Sequence, residues 1–173
     1  MAAAREHPEA PAFRVSFVCA GNICRSPMAE VVMRNLAERA GLGERIAVES
    51  AGTGDWHVGE HADPRALEAL RRRGYDGETH RARQFDPADF PRLDLVVALD
   101  RPQARVLRSQ APTADDSAKV QLLLSFDPTL AAHQDVPDPY YSDDAAFDLA
   151  LDLVERSTAS LFRQLAPALR TAG

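Results

Sequence analysis

Phe13-Arg-Val-Ser-Phe-Val-Cys19 is a run of β-branched and aromatic residues broken at once by Ala20-Gly21-Asn22, which reads as a strand closed by a tight loop. Helix-start signals follow directly. Ser26 suits the N-cap, Pro27 the first helical position and Glu30 the first turn, and Met28, Val32, Leu36 and Ala40 recur at helical spacing before Gly41. A chain that opens as strand, loop and helix is committed to an α/β fold if the alternation continues. It does continue. Ile46-Ala-Val-Glu-Ser50 is a second strand ending in Ala51-Gly52, and Asp63-Pro64 starts a helix that runs to Gly74. Leu93-Asp-Leu-Val-Val-Ala-Leu99 is nearly continuous in apolar residues, as expected of a strand buried on both faces, and Val120 to Leu124 is the next such segment. A helix over Pro102 to Arg108 separates them. Phe147, Leu151, Val154, Thr158, Leu161 and Leu165 then alternate four and three apart, which marks a long amphipathic closing helix. The alternation predicts a parallel sheet.

Length bounds the organisation: 173 residues suit one compact domain. Residues 1–12, rich in Ala, Glu and Pro without periodicity, are expected to form a flexible extension, with the domain spanning 13–173. A formal charge of −6, with Lys and Arg scattered, argues against a nucleic-acid groove or a basic membrane face. The N-terminus lacks the basic-then-apolar order of a signal peptide, so a cytoplasmic location is expected, leaderless export remaining open. Arg71, Arg72 and Arg73 in the last turn of their helix read as cations complementing the helix dipole on a solvated face, with a substrate patch as the alternative.

Only Cys19 and Cys24 are present, too close in sequence to staple distant segments, and the histidines offer no ligand set beyond His57 and His61. No metal and no cofactor are expected. In an open α/β sheet, ligands bind beyond the carboxyl ends of the strands, and the first strand ends on Cys19. The loop Cys19-Ala20-Gly21-Asn22-Ile23-Cys24-Arg25-Ser26 can turn backbone N–H groups inward while the following helix aims its positive end at the same point, making an anion cradle. Arg25 adds a guanidinium able to hold two oxygens of a phosphoryl group. The same field favours a thiolate at Cys19, placed for in-line attack on phosphorus, with Ser26 Oγ in reach to donate to it. Alone, a cysteine at a strand end is usually a small buried hydrophobe; within Cys-x5-Arg-Ser between strand and helix it is a nucleophile. A phosphate-ester hydrolase also needs an acid for the leaving oxygen. Glu6 and Glu9 are the only carboxylates before Cys19 and lie in the extension, so the acid is sought downstream, and Asp138 in Val136-Pro-Asp-Pro-Tyr-Tyr141 is the candidate.

These residues resemble the low molecular weight protein tyrosine phosphatases of bacterial type, over about Arg14 to Leu165. The Cys-x4-Cys-Arg-Ser signature at Cys19 to Ser26 and the late Asp-Pro-Tyr at Asp138 to Tyr140 carry the likeness. The resemblance implies a single-domain α/β fold with a four-stranded parallel sheet flanked by helices on both faces. It also implies hydrolysis of phosphotyrosine through a phosphocysteine on Cys19, with Asp138 acting first as acid and then as base. Asn22, Ser50 and His80 resemble the network bracing the phosphate loop, and Trp56, Tyr140 and Tyr141 the walls of the substrate crevice, with core packing as the alternative for Trp56. Cys24 resembles the second loop cysteine, able to pair with Cys19 in reversible redox inactivation. The implied partners are tyrosine-phosphorylated proteins, with a tyrosine kinase acting on the same substrates, around a monomer or weak dimer.

Three other classes share part of this pattern. Thioredoxin-coupled arsenate reductases share the loop but need distal cysteines, and none follows Cys24. Protein-arginine phosphatases typically carry Thr where Ile23 stands and lack the paired tyrosines. A non-catalytic phosphopeptide-binding module would be expected to have lost Cys19, Arg25 or Asp138.

Overall fold

The computed structural model describes residues 11–171. The flexible extension expected over residues 1–12 therefore falls mostly outside the described residues. Within them, the Ala12 N–H donates to Arg45 O at 2.8 Å, so the ordered fold takes in Ala12.

Four parallel strands form one sheet in the order β2-β1-β3-β4: β1 is Phe13–Cys19, β2 Ile46–Gly52, β3 Leu95–Ala98 and β4 Val120–Leu122. The first strand lies inside the sheet, paired on both edges, and each of its faces lies against a core. Val15, Phe17 and Cys19 point into one core with Ile46, Val48, Val97 and Leu99, while Val18 points into the other with Val96, Ala98 and Val120. That is the physical reason β3 is apolar without alternation, whereas β1 sets Arg14 and Ser16 between Phe13, Val15 and Phe17 before it becomes continuously apolar at Phe17–Cys19. α1 (Arg25–Arg39), α2 (Pro64–Arg72) and α5 (Asp144–Thr171) cover the first face. α3 (Arg101–Gln110) and a 3₁₀ turn over Pro87–Arg92 cover the second through Ala104, Leu107 and Phe90. Phe17 and Phe147 meet in the larger core with no exposed surface; truncating either to alanine is worth about 3–5 kcal/mol.

Several boundaries differ from expectation. The third strand is shorter than Leu93–Leu99, because Leu93 ends the 3₁₀ turn by donating its N–H to Phe90 O at 3.1 Å. The fourth stops at Leu122, where a 3₁₀ turn over Leu123–Phe126 takes the apolar run into the core. A short helix, α4 (Ala114–Ala118), capped by Thr113, lies in a polar stretch with no apolar periodicity to reveal it. Arg71 and Arg72 lie exposed in the last turn of α2, as expected of cations at that end of the helix dipole, but the run also makes ion pairs that the sequence did not signal. Arg73 pairs with Asp152 at 2.7 Å and with Glu155, and Arg72 pairs with Asp148 at 3.0 Å, so two of the three strap α2 to α5. Arg71 pairs with Glu68 and Glu78 in solvent, worth a few tenths of a kcal/mol each, on the order of exposed helical pairs.

Candidate active site

α1 begins two residues earlier than its sequence signals. Cys24 is the N-cap, Arg25 the first helical residue, and no side chain caps the start. Ser26 is not the cap because its hydroxyl is used inside the loop: it lies 2.9 Å from Cys19 Sγ and accepts from Asn22 Nδ2 at 2.8 Å. The helix amides are thus left to an anion, in keeping with the positive end of the helix dipole.

The left-handed turn in the loop is made by Asn22, at φ 58°, and not by Gly21. Asparagine tolerates that conformation, and here its side chain and carbonyl hold it there. Its Nδ2 also donates to Ser50 Oγ at 2.9 Å, its Oδ1 accepts from the Arg83 N–H at 2.9 Å, and its carbonyl accepts from His80 Nε2 at 2.7 Å. The loop lies so close to the end of β2 that a Cβ on Gly52 would stand 2.7 Å from Ala20 O. Glycine at 52 is a condition of the loop's position. Thr53 and Gly54 then hold the carbonyls of Cys19 and Ala20 through their N–H groups, each at 3.0 Å.

Arg25 is 2% exposed, and its guanidinium is shared among three acceptors. Nη1 donates to Asp100 Oδ2 at 2.7 Å and to Val136 O at 2.8 Å, and Nη2 stands 3.6 Å from Asp138 Oδ2. Burial opposes its charge but is outweighed by the Cys19 sulfur, Asp100 and Asp138, so its pKa is held above the usual value. Nε is buried without a protein partner, an orphan donor that calls for an acceptor. Asp138 itself is half-exposed and accepts from the Tyr140 N–H at 3.1 Å. Burial, with the charge of Asp63 next, pushes the Cys24 thiol far up.

A crevice of about 440 Å³ opens over this cradle. Cys19, Arg25 and the loop lie in its floor, with Asp138, Tyr140 and Tyr141 on one wall and Trp56 and His57 on the other. Trp56 is 70% exposed, which removes the core-packing alternative and leaves its ring at the mouth. Tyr140 and Tyr141 pack edge to face, ring centroids 4.8 Å apart. All the residues singled out from the sequence converge here: Cys19 to Ser26 and the three aromatics in or against the crevice, Ser50 and His80 behind the loop. Sequence reasoning missed Asp100, whose signal was present: an aspartate just past a strand end, followed by Arg101-Pro102, capping α3 by accepting from the Gln103 N–H at 2.9 Å. It also missed His57 and Glu30, which carry no local signal. Among the described residues no group of three or more His, Cys, Asp or Glu is placed to hold a metal ion.

His80 supports the loop through its Nε2 proton, which the neutral Nε2–H tautomer and the imidazolium both carry. To donate to the Asn22 carbonyl its proton must be on Nε2, and burial holds its pKa below the usual 6.5 despite the raising effect of that bond. The unfolded imidazole therefore binds a proton before the folded one does, and stability falls as pH drops from about 6.5 towards the folded value. Glu30, 4.0 Å away, acts oppositely. Burial raises its pKa above 4.5 against Arg34 and Ser50, so the folded state gains from its protonation as pH falls through the folded value. We expect His80→Gln, whose amide can replace the Nε2 donor, to flatten the decline in melting temperature between about pH 7 and about pH 5.5. Parallel declines in variant and wild type would show that His80 is not the group responsible.

A thiol at the carboxyl end of a central parallel strand, beside a buried arginine and an uncapped helix start, is an anion site with a candidate nucleophile, an arrangement that fits the class of phosphoric monoester hydrolases. Residues 14–170 match the low molecular weight phosphotyrosine protein phosphatase family, and the chain belongs to that family. It is 55% identical over 150 residues to the low molecular weight protein-tyrosine-phosphatase of Streptomyces coelicolor, covering 86% of this chain and 91% of the relative. A crystal structure of protein tyrosine phosphatase from Entamoeba histolytica, with Hepes in its active site, superposes with a TM-score of 0.84 at 32% identity over 90% of this chain and 98% of that one. The YwlE arginine phosphatase superposes at 0.80, with 30% identity over 91% of this chain and 99% of that one. The enzyme is thus a protein-tyrosine phosphatase by family, acting on phosphoproteins, and no described helix is long and apolar enough to cross a membrane.

Proposed function

We propose that the chain hydrolyses phosphotyrosine in two steps on Cys19. The phosphate dianion sits among the loop amides and Arg25, and Sγ attacks phosphorus in line. The Sγ–P bond forms as the bond to the tyrosyl oxygen breaks, and Asp138 gives that oxygen its proton. Asp138, now a carboxylate, takes a proton from water as the water oxygen attacks phosphorus, the Sγ–P bond breaks and inorganic phosphate leaves. Ser26 Oγ, 2.9 Å from Sγ, donates to the sulfur as it is released.

The observation that carries this reading is the position of the sulfur at the floor of an aromatic-walled crevice, with Arg25 and Asp138 3.6 Å from each other at its side. Walls of tyrosine and tryptophan pack on a phenyl ring and set the phosphate at a depth a short alkyl phosphate does not reach. The likeness to YwlE favours phosphoarginine as the second reading. Against it stand the buried apolar Ile23 in the loop and the tyrosine pair. We further propose a cytoplasmic enzyme opposing a tyrosine kinase as monomer or weak dimer, and oxidation of Cys19 to a sulfenic acid by peroxide, which the Cys24 thiol closes to a disulfide with loss of water.

Phosphate release from matched phosphotyrosine, phosphoserine and phosphoarginine peptides tests the substrate, with phosphotyrosine expected to lead. A lead for phosphoarginine would keep the mechanism and overturn the substrate. Asp138→Asn tests the acid. Because Asp138 is half-exposed, water replaces it in part, so the expected fall in kcat/KM on phosphotyrosine is about 10²-fold, the low end for a general acid.

A further inference from the structure

Arg65 is the second residue of α2 and lies outside the crevice, yet its guanidinium is almost fully committed. Nε and Nη2 hold the Asp63 carboxylate at 3.0 and 2.9 Å. Nη1 donates to Ser142 O at 3.0 Å and Nη2 to Tyr140 O at 2.9 Å. Its flat face lies 4.5 Å from the centroid of the buried Phe147 ring, which fixes its orientation from beneath. Asp63 is anchored in turn: it caps α2 by accepting from the Arg65 N–H at 2.8 Å, and its own N–H donates to Ile23 O in the phosphate loop at 2.8 Å.

Two segments far apart in sequence are therefore tied through one pair of side chains. On one side is the loop that holds phosphate; on the other is the segment carrying Asp138 and Tyr140. The tie reaches the carboxylate itself, because Tyr140, whose carbonyl Arg65 grips, also carries the N–H that holds Asp138 Oδ1 at 3.1 Å. Only a planar fork of donors can serve two carbonyls and a carboxylate at once; an ammonium offers one point.

We infer that Arg65 is a positioning residue: with Asp63 it clamps the Asp138 segment to the phosphate loop and so sets the acid at the leaving oxygen. The inference rests on the reading of Asp138 as the general acid. A residue that acts through the acid matters in proportion to how much the leaving group needs a proton, which a merely structural residue does not.

The test is kcat/KM, which stops at phosphorylation of the enzyme, on phosphotyrosine, phenyl phosphate, nitrophenyl phosphate and dinitrophenyl phosphate, in order of decreasing need for protonation. Arg65→Ala is expected to lose about tenfold on the first two and less than about twofold on the last. Arg65→Lys, which keeps the charge and most of the packing over Phe147, is expected to follow Arg65→Ala and serves if the alanine variant does not fold. In an Asp138→Asn background Arg65→Ala is expected to add nothing, since the group it positions is gone. Equal losses on all four esters, or losses that add to those of Asp138→Asn, would overturn the clamp alone. If Asp138→Asn itself had no dependence on the leaving group, the acid assignment would fall and the clamp with it.

Discussion

Cys19→Ser is expected to lower turnover of phosphotyrosine by at least about 10⁴-fold while leaving the phosphate site intact. A serine hydroxyl needs a base to attack phosphorus, but Asp138 must carry the proton for the leaving oxygen in that same step, and His57 on the crevice wall is engaged by Glu60 at 2.6 Å. Ser26 is itself a hydroxyl, and the imidazole of His80 behind the loop spends its Nε2 proton on the Asn22 carbonyl. Binding has a separate origin in Arg25, the loop amides and the helix start, which the substitution does not touch. Serine also brings no negative charge beside a bound anion, so inorganic phosphate should bind at least as tightly as in wild type, as calorimetric titration would read. Activity above about a tenth of wild type would rule out the phosphocysteine route. Loss of phosphate binding with the fold intact would mean that the cradle depends on the sulfur.

Arg25→Lys is expected to cost about 10³-fold in kcat/KM, with phosphate affinity weakened in parallel. The argument is geometric. Arg25 already serves Asp100 and Val136 O through Nη1, which fixes the plane of the guanidinium and aims Nε and Nη2 at the crevice. Lysine keeps the charge but can either satisfy Asp100 or reach the phosphate. Stability separates this from simple loss of charge. Asp100 keeps a cation nearby in Arg25→Lys, whereas Arg25→Ala leaves a largely buried carboxylate unpaired, at about 3–5 kcal/mol. Lysine should therefore lose most of the activity and little of the melting temperature, and alanine should lose both. A lysine variant with near-normal kcat/KM would show that charge alone, without the fork, suffices.

Local signals carried most of the architecture. The order of strands and helices followed from apolar runs and from Asp63-Pro64 and the cap-and-proline pattern at Ser26-Pro27, because strand burial and helix initiation leave their marks within a few residues. Where a mark had two physical meanings it misled. Ser26-Pro27 reads as a cap because serine at a helix start accepts a backbone N–H, but the same hydroxyl is drawn to Cys19 Sγ and Asn22 Nδ2, so the helix starts uncapped at Arg25. The arginine run over 71–73 reads as a solvated end, and only the approach of α5 turned it into a strap.

The sequence by itself determined which residues the proposed chemistry draws on: a cysteine, an arginine and a serine in one loop between a strand and a helix, and an aspartate between prolines beside two tyrosines. Those assignments depend on residues adjacent in the chain, where spacing alone constrains geometry. What the tertiary structure decided is how pieces remote in sequence meet. Asp100, 75 residues from Arg25, aligns its guanidinium, and Arg65, 75 residues from Tyr140, holds the segment that carries Asp138. Neither pairing leaves a periodic or compositional trace, because a charged residue at a helix N-terminus is equally consistent with a cap in solvent until the sheet order β2-β1-β3-β4 brings β3's end beside β1's and the segment around Asp138 down across the first turn of α2.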